Sequence, residues 1–541
     1  MPAEGSQVSD VHARSRVDRD EVFVEYTKSI CPVCKAVVDA EVNIRANKVF
    51  LRKRCRDHGA FEALVYGDAE MYAASMRFNK PGTIPLSTQT EVHDGCPLDC
   101  GLCPDHKQHA CVGLIEVNTA CNLDCPVCFA DSGHHPDGFS LTRDQVEAGL
   151  DAFVAAEGEP EVIMFSGGEP SIHPQILEFC AMARDKGVRS VVLNTNGIRL
   201  AHDATFAAAL AELDVRIYLQ FDGLDASTHL AFRGRDLRAA KAKALERCAD
   251  AGLAVLLVAA VDAETNLATI GEIVRHGIAH PAVRGVVFQP VTRAGRMPTF
   301  DPLTRLTNPD VIKALVEQCP DWFRISDFFP VPCCFPTCRS ITYLLGDEED
   351  VIPIPRLLPM ENYLDYVTNR ALPDPSVRHA LEGLWSASAI PGSAAMTDRL
   401  TTTLTALGLS GDLNEVAAAA LETCASCGID FPDALSDLAS KAFMIVIQDF
   451  QDPYTLNVKQ LMKCCVEEIT PDGRLIPFCA YNSVGYREQV RAQLSGTTVD
   501  TVVPNAAELA DLLVPTRHGS RTVPGLSGDA PVQVNLLRSL R

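Results

Sequence analysis

Short apolar runs alternate with amphipathic helical stretches between residues 113 and 300. Strands that alternate with helices in this way are typical of a parallel sheet with crossover helices. The six predicted strands are Leu114–Val117, Val162–Phe165, Val191–Leu193, Val215–Phe221, Leu253–Val261 and Gly285–Pro290. The sequence therefore predicts an α/β fold, a partial (β/α)6 TIM-like barrel. Its active site is expected where the carboxyl ends of the strands meet.

Flanking modules are expected around this barrel, because 541 residues are too many for one ordinary core. Thin apolar content and many cysteines predict an N-terminal metal-binding module at 21–112, with strands at Val49–Leu51 and Phe61–Tyr66. The other segments are a disordered tail (1–20), the barrel (113–300), an auxiliary cluster region (301–371 and 440–489), an alanine-rich helical insertion (372–439) and a C-terminal tail (490–541) without an assigned role.

Charge and cysteine content narrow the class of protein. Lys and Arg number 48 against 70 Asp and Glu, a net charge of -22 that repels a phosphate backbone, so nucleic acid is not expected as a partner. No apolar run approaches the roughly 20 residues of a membrane span, and the first residues have no signal core, which predicts a cytoplasmic protein without a transmembrane segment. In that reducing compartment, 21 cysteines indicate metal sites more readily than disulfides.

One cysteine motif follows the first predicted barrel strand directly. Cys121, Cys125 and Cys128 form a C-x3-C-x2-C loop. Three thiolates can hold three irons of a [4Fe-4S] cluster and leave the fourth iron open for a ligand. Taken alone, the motif also fits a zinc knuckle or a cluster completed by another cysteine.

Polar and glycine-rich motifs stand at four other predicted strand ends. Glycines there let the main chain approach a ligand closely, and amide side chains suit ribose or carboxylate groups. The motifs are Gly167-Gly168-Glu169-Pro170, Asn194 with Asn196, Gln220 with Asp222, and Phe288-Gln289-Pro290 with Gly295-Arg296. Each alone is often just a turn, but four on one rim indicate a shared site.

The remaining cysteines fall into groups outside this loop. Cys96, Cys100 and Cys103, with Cys111 close behind, fit an auxiliary [4Fe-4S] cluster or a four-cysteine zinc site. A mononuclear zinc or rubredoxin-like iron is the natural interpretation of Cys31, Cys34 and Cys55, with His58 as an open fourth ligand.

A third cluster is expected to draw on two distant segments. Its proposed ligands are Cys334, Cys338, Cys464 and Cys479, and one cysteine of each adjacent pair, Cys333-Cys334 and Cys464-Cys465, is expected to serve in packing. Cys424 and Cys427 fit a ligand role or none equally well, whereas Cys180, Cys248 and Cys319 are expected in the core.

The three-cysteine loop and the four strand ends together resemble the radical S-adenosylmethionine (SAM) superfamily over roughly 113–300. The resemblance implies that the open iron chelates SAM and that the strand end at Gly167, Gly168, Glu169 and Pro170 contacts its amino group. It also implies SAM contacts near Asn194, Asn196, Gln220 and Asp222, and a 5′-deoxyadenosyl radical that abstracts hydrogen from the substrate. One departure is Val127, where the family often has an aromatic residue, with Phe129 just after the last cysteine.

The outer cysteine segments narrow the resemblance. Cys31-Pro-Val-Cys, Cys55-Arg-Asp-His-Gly and the segment from Gly95 to Cys103 are similar to archaeal tetraether lipid synthases and their class D radical methylase relatives. The likeness also includes Ile476 to Arg487 and leaves the helical insertion uncovered. It implies auxiliary clusters, a mononuclear iron or zinc, and a reductant such as ferredoxin or flavodoxin.

These features lead to three functional hypotheses. The first is C–C bond formation between alkyl chains of lipids. The second is radical C-methylation of a pterin-like or other small substrate. The third, from another class, is an iron–sulfur electron carrier or a zinc-stabilised scaffold, which would give the rim motifs no purpose.

Overall fold

The computed structural model describes residues 20–133, 138–297, 300–331, 334–345, 351–356 and 443–495. The predicted N-terminal tail up to residue 19, the helical insertion with Cys424 and Cys427, Cys333, and the C-terminal tail from residue 496 lie outside these residues. Within the described part of the chain, no helix is both long and apolar enough to cross a membrane.

The N-terminal segment forms its own four-stranded antiparallel sheet, in the order β1-β2-β3-β4. The strands are β1 (Glu21–Ile30), β2 (Val37–Arg45), β3 (Lys48–Cys55) and β4 (Gly59–Tyr66), followed by helix α1 (Ala69–Ser75). The sequence pattern predicted only β3 and β4. It did not predict β1 because the apolar side chains of this strand, among them Phe23 and Tyr26, are exposed and do not follow the alternation of a half-buried strand.

All six predicted barrel strands form and run parallel to their neighbours. They are β5 (Val112–Glu116), β6 (Val162–Ser166), β7 (Ser190–Thr195), β8 (Val215–Gln220), β9 (Val255–Val261) and β10 (Val283–Pro290). The intervening helices are α2 (Arg143–Glu157), α3 (Ile176–Asp185), α4 (Ile198–His202), α5 (Ala204–Glu212), α6 (Ala226–Arg233), α7 (Arg238–Ala251) and α8 (Ile270–Ala279). The predicted α/β class and partial barrel are confirmed.

The sheet continues beyond these six strands on both sides. The later elements are α9 (Asn308–Gln318), β11 (Phe329–Pro330), β12 (Arg339–Leu345), β13 (Ile352–Pro353), β14 (Phe443–Gln448), α10 (Val458–Leu461), β15 (Val466–Ile469), β16 (Leu475–Pro477), α11 (Phe478–Val484) and α12 (Tyr486–Leu494). Strand β14 joins β10 in parallel, and β15 joins β5 in parallel. Two strands from the segment predicted to be an auxiliary cluster region therefore extend the barrel sheet.

The strand order explains how these late segments reach the site. It runs β11-β12-β14-β10-β9-β8-β7-β6-β5-β15-β16, so residues after 442 lie at both edges of the six-stranded core. Every side chain of β14 is buried, as expected for a strand covered on both faces. The carboxyl ends of the parallel strands consequently form one rim.

Candidate active site

A cavity of about 430 Å³ lies among the strands of the barrel. Its walls are inward-facing apolar side chains such as Leu114, Met164 and Val287. The predicted residues that line it are Cys111, Cys121, Cys125, Cys128, Gly167, Gly168, Glu169, Asn194, Asn196, Gln220, Gln289 and Pro290. The structure thus brings the three-cysteine loop and all four strand-end motifs to one site.

The three-cysteine loop is held by main-chain hydrogen bonds. Cys128 and Arg296 exchange two backbone bonds, each 2.9 Å from N to O, and the Arg296 Nε donates to the Cys125 carbonyl at 2.9 Å. The amide of Leu123 points to Cys121 Sγ and that of Ser132 to Cys128 Sγ, both at 3.4 Å. The motif after β10 therefore clamps the cysteine loop.

The chemistry of the loop fits an iron–sulfur cluster with three protein ligands. Burial raises the pKa of both Cys121 and Cys125, although Arg233 partly offsets the rise for Cys125. Bound metal is what stabilises such buried thiols as thiolates. All three face a cavity with space beside them, as an open fourth iron requires.

The glycine pair after β6 permits a close approach of two backbones. A Cβ on Gly167 would lie 2.3 Å from the Asn118 carbonyl, and one on Gly168 would lie 2.2 Å from that of Ala120. The Gly168 amide donates to the Asn118 carbonyl at 2.8 Å. These glycines therefore dock the β6 end against the segment that leads into the cysteine loop.

Glu169 braces two neighbouring strand ends. Its Oε1 accepts from the Thr195 hydroxyl at 2.7 Å and its Oε2 from the Asn196 amide at 2.7 Å. Both carboxylate oxygens are thus engaged within the protein. The side chain therefore acts as a positioning group for the rim.

A chain of hydrogen bonds runs across the next strand ends. Gln220 donates to Asn194 Oδ1 at 2.9 Å and accepts from Arg233 at 3.2 Å. Arg233 also holds Asp222 with two bonds of 2.6 and 2.7 Å. Burial alone would raise the pKa of Asp222, but Arg233 outweighs it and lowers the pKa.

Two of the predicted SAM contacts lie off the cavity wall. Asp222 is fully buried behind Arg233, and Pro170 is buried next to Glu169; neither lines the cavity.

Two cations that the sequence did not predict, Arg233 and Lys241, line the cavity instead. Lys241 donates to the Asn196 carbonyl at 2.6 Å, and burial lowers its pKa to about 8. Both residues belong to helices, and a basic residue on an amphipathic helix ordinarily faces solvent, so no local sequence pattern indicates that these two line the cavity.

The N-terminal cysteines and His58 form a compact group. The four ligand atoms lie within 4.8 Å of one another. Cys31 and Cys55 are each 3.6 Å from His58 Nδ1, and the Cys34 and Cys55 sulfurs are 3.9 Å apart. This arrangement suits one tetrahedral metal ion and places His58 where a fourth ligand is needed.

The second cysteine motif is divided between two cavities. Cys96, Cys100 and Cys103 line a small cavity together with His106. Cys111 lies on the wall of the central cavity, with its sulfur 3.6 Å from His109 Nε2. The structure therefore separates Cys111 from the other three, because it immediately precedes β5, whose first residue, Val112, lines the central cavity.

The four cysteines of the expected third cluster also fall into two places. Cys334 and Cys338 pack in one apolar cluster that includes Cys465 and is flanked by Cys111. Cys464 is half-buried elsewhere, near Glu467 and Cys479, and desolvation together with these neighbours raises its pKa. Of the adjacent pair Cys464-Cys465, it is thus Cys465 that packs in the same cluster as Cys334 and Cys338. That these cysteines bind a third iron–sulfur cluster stays a prediction.

Comparisons with known proteins agree with this geometry. Residues 115–276 match the model of the radical SAM superfamily, and residues 23–67 match the HMPTM N-terminal zinc ribbon domain. The 7,8-dihydro-6-hydroxymethylpterin dimethyltransferase of Methanocaldococcus jannaschii is 32% identical over 495 residues, which cover 87% of this chain and 95% of that protein. The chain belongs to the radical SAM superfamily.

Other relatives of this radical SAM protein match over shorter stretches. The AdoMet-dependent heme synthase of Methanosarcina barkeri is 37% identical over 94 residues, 17% of this chain and 26% of that protein. A crystal structure of Streptococcus suis SuiB with precursor peptide SuiA has a TM-score of 0.32 and 15% identity, over 40% of this chain and 47% of that chain. Family membership implies a [4Fe-4S] cluster and SAM as cofactors, and the residues described above fit both.

Gly295 offers a test of the clamp on the cysteine loop. Its φ is +61°, and an added Cβ would lie 2.3 Å from the carbonyl oxygens of Cys128 and Phe129. Gly295→Ala is expected to displace the loop and to lower SAM cleavage by about 100-fold, since an active-site shift near 1 Å has effects of this order. Iron content and 5′-deoxyadenosine formation measure it.

Gly252→Ala is the matched control for Gly295→Ala. Gly252 has a φ of +73° but no atom within 4 Å of an added Cβ, so it adds the same backbone strain without the clash. Equal iron content and activity in the two variants would contradict the clamp.

Proposed function

We propose that this radical SAM enzyme is a C-methyltransferase that acts on a pterin. The observation that carries the proposal is the likeness to a pterin dimethyltransferase over nearly the whole of both chains. The match of residues 23–67 to the HMPTM zinc ribbon supports it independently of the barrel. This places methylation ahead of lipid coupling, the order opposite to the one expected from the cysteine segments alone.

The polarity of the cavity wall also favours a pterin over an alkyl chain. Glu116, Glu468 and Arg487 are all buried and all line the cavity. Glu116 and Arg487 pair with each other at 2.7 Å, but Glu468 Oε2 and Arg487 Nε have no hydrogen-bond partner among the described residues. A hydrocarbon chain would leave these two atoms without partners, at a cost of several kcal/mol. A pterin carries ring nitrogens, an amino group and a carbonyl that can pair with them.

Different residues of the site would bind the cluster, position the cysteine loop and position the rim in such a reaction. When bound, the cluster and SAM supply a hydrogen-abstracting organic radical through one-electron cleavage of the sulfonium. Cys121, Cys125 and Cys128 would hold the cluster, and Arg296 fixes their loop. Glu169 fixes the rim beside it. The strands enclose the cavity and keep water from a reactive species.

The test is an anaerobic reaction of the reduced enzyme with 7,8-dihydro-6-hydroxymethylpterin, SAM as the radical source, and a separate donor of the transferred carbon, supplied in parallel reactions as excess SAM or as a methylene-carrying tetrahydropterin. We expect a product heavier than the substrate by one CH2 for each methylation, with 5′-deoxyadenosine formed. An unchanged pterin, together with a lipid that loses two hydrogens per coupling, would instead support the lipid hypothesis. An electron carrier or scaffold would leave SAM intact.

A further inference from the structure

Three phenylalanines form one aromatic wall of the central cavity. Phe129 and Phe478 are stacked, with ring centroids 5.3 Å apart and planes 8° apart. Phe450 packs on both, at 5.5 Å from Phe129 and 4.8 Å from Phe478. All three line the cavity that the cysteine loop also lines. A flat heteroaromatic ring system can lie against such a wall.

Glu468, on β15, lines the same cavity and is only 2% exposed. Its Oε1 accepts from the Glu116 amide at 3.1 Å. Its Oε2 is buried and has no hydrogen-bond partner among the described residues. A buried carboxylate oxygen without a partner is costly, so its retention in a cavity wall points to a ligand that supplies donors.

The protein's own cation at this place, Arg487, pairs with Glu116, while its buried Nε has no hydrogen-bond partner among the described residues. Arg487 donates to Glu116 Oε1 at 2.7 Å, and the Tyr481 hydroxyl donates to Glu116 Oε2 at 3.1 Å. Glu116 is therefore satisfied within the protein, whereas Glu468 beside it is not. This difference separates a structural carboxylate from one available to a ligand.

We propose that Glu468 determines specificity by accepting hydrogen bonds from the 2-amino and N3–H edge of the pterin, while the ring system lies against Phe129, Phe450 and Phe478. The inference rests on the proposed function and names the residue that recognises its substrate class. Two adjacent N–H donors in one plane match the two oxygens of a carboxylate. Oε1 retains a second lone pair for this purpose.

The experiment compares two ligands on the SAM-loaded holoenzyme by anaerobic equilibrium dialysis, without reductant, so that SAM is not cleaved and neither ligand is converted. One is 7,8-dihydro-6-hydroxymethylpterin, and the other is its lumazine analogue, which carries a 2-oxo group in place of the 2-amino group. The wild type is expected to prefer the pterin by roughly 10- to 100-fold, the loss that follows from one missing hydrogen bond to a charged group. Glu468→Gln is expected to bring the ratio of dissociation constants close to one.

A surface variant and a conservative variant accompany Glu468→Gln. Glu488→Gln removes the same charge from an exposed position on α12 and should keep the wild-type ratio. Glu468→Asp keeps the carboxylate and should retain part of the preference. The melting temperature of Glu468→Gln should not fall, because the change relieves repulsion between two buried carboxylates, whereas a structural role predicts a fall.

The outcomes separate the two proposals. A wild type that binds neither ligand contradicts the proposed function. A wild type that binds both equally, or a Glu468→Gln protein that keeps the preference, overturns the role of Glu468 and leaves the methyltransferase proposal standing.

Discussion

Replacing Cys125 with alanine is expected to reduce 5′-deoxyadenosine formation to the background of the reductant. Cys125 is the middle thiol of the loop, buried on the cavity wall, with its carbonyl bound by Arg296. Two remaining thiols cannot fix a cubane with one open iron, and an unsupported cluster is lost or converted. The expected decrease is about 1,000-fold or more, the size of effect seen when a catalytic group is removed. Chromatographic quantification of 5′-deoxyadenosine measures it.

Cys248→Ala is the matched control for Cys125→Ala. Cys248 is a buried cysteine of α7 in the apolar core and is not among the residues that line the cavity. It should keep SAM cleavage and lose only a modest part of its stability. Full SAM cleavage by Cys125→Ala would contradict the assignment of the cluster to this loop.

Arg233→Met is expected to destabilise the protein by about 3–5 kcal/mol, because it leaves the buried Asp222 carboxylate without its cation. For a chain of 541 residues, whose unfolding entropy is about 1.1 kcal/mol per kelvin, the corresponding decrease in melting temperature is about 3–4 °C, measurable by anaerobic circular dichroism. Because Arg233 lowers the folded-state pKa of Asp222, the stabilisation by this pair is present above the unfolded-state pKa near 3.9 and is lost as the pH falls through the folded-state value.

The double variant Asp222→Asn/Arg233→Met is the control for this pair. The asparagine removes the charge, and its oxygen can still accept from the Ala260 amide, which Asp222 binds at 3.1 Å. We expect the double variant to recover much of the lost melting temperature, since it leaves no unpaired buried charge. A double variant less stable than Arg233→Met alone would show that the ion pair is not the source of the effect.

Sequence patterns predicted the part of the fold that depends on local periodicity. The strands β5 to β10 and the loop with Cys121 follow one another within 113–300, so each apolar run is next to its partners in the chain. Strands β14 and β15 were not anticipated as barrel walls. Their partners lie far away in sequence, and a buried apolar run alone does not indicate which edge it will join.

The site residues divide in the same way. Spacing revealed the cysteine loop and the glycine pair, since these motifs are short and contiguous. Arg233 and Glu468 carry no local signal, because a charged residue in a helix or a strand is ordinarily exposed. Only the tertiary structure shows that both line the cavity. Cys111 shows the opposite error, since its closeness in sequence to Cys103 does not place it in the same cavity.

Electron–nuclear double resonance on the reduced, oxygen-free enzyme, with SAM labelled at its amino nitrogen and carboxylate, measures whether the cluster binds SAM. We expect magnetic coupling of both labels to the cluster held by Cys121, Cys125 and Cys128, and the loss of that coupling when these three cysteines are replaced by alanine. A cluster spectrum that does not respond to SAM, or zinc without labile sulfide at this loop, would contradict it.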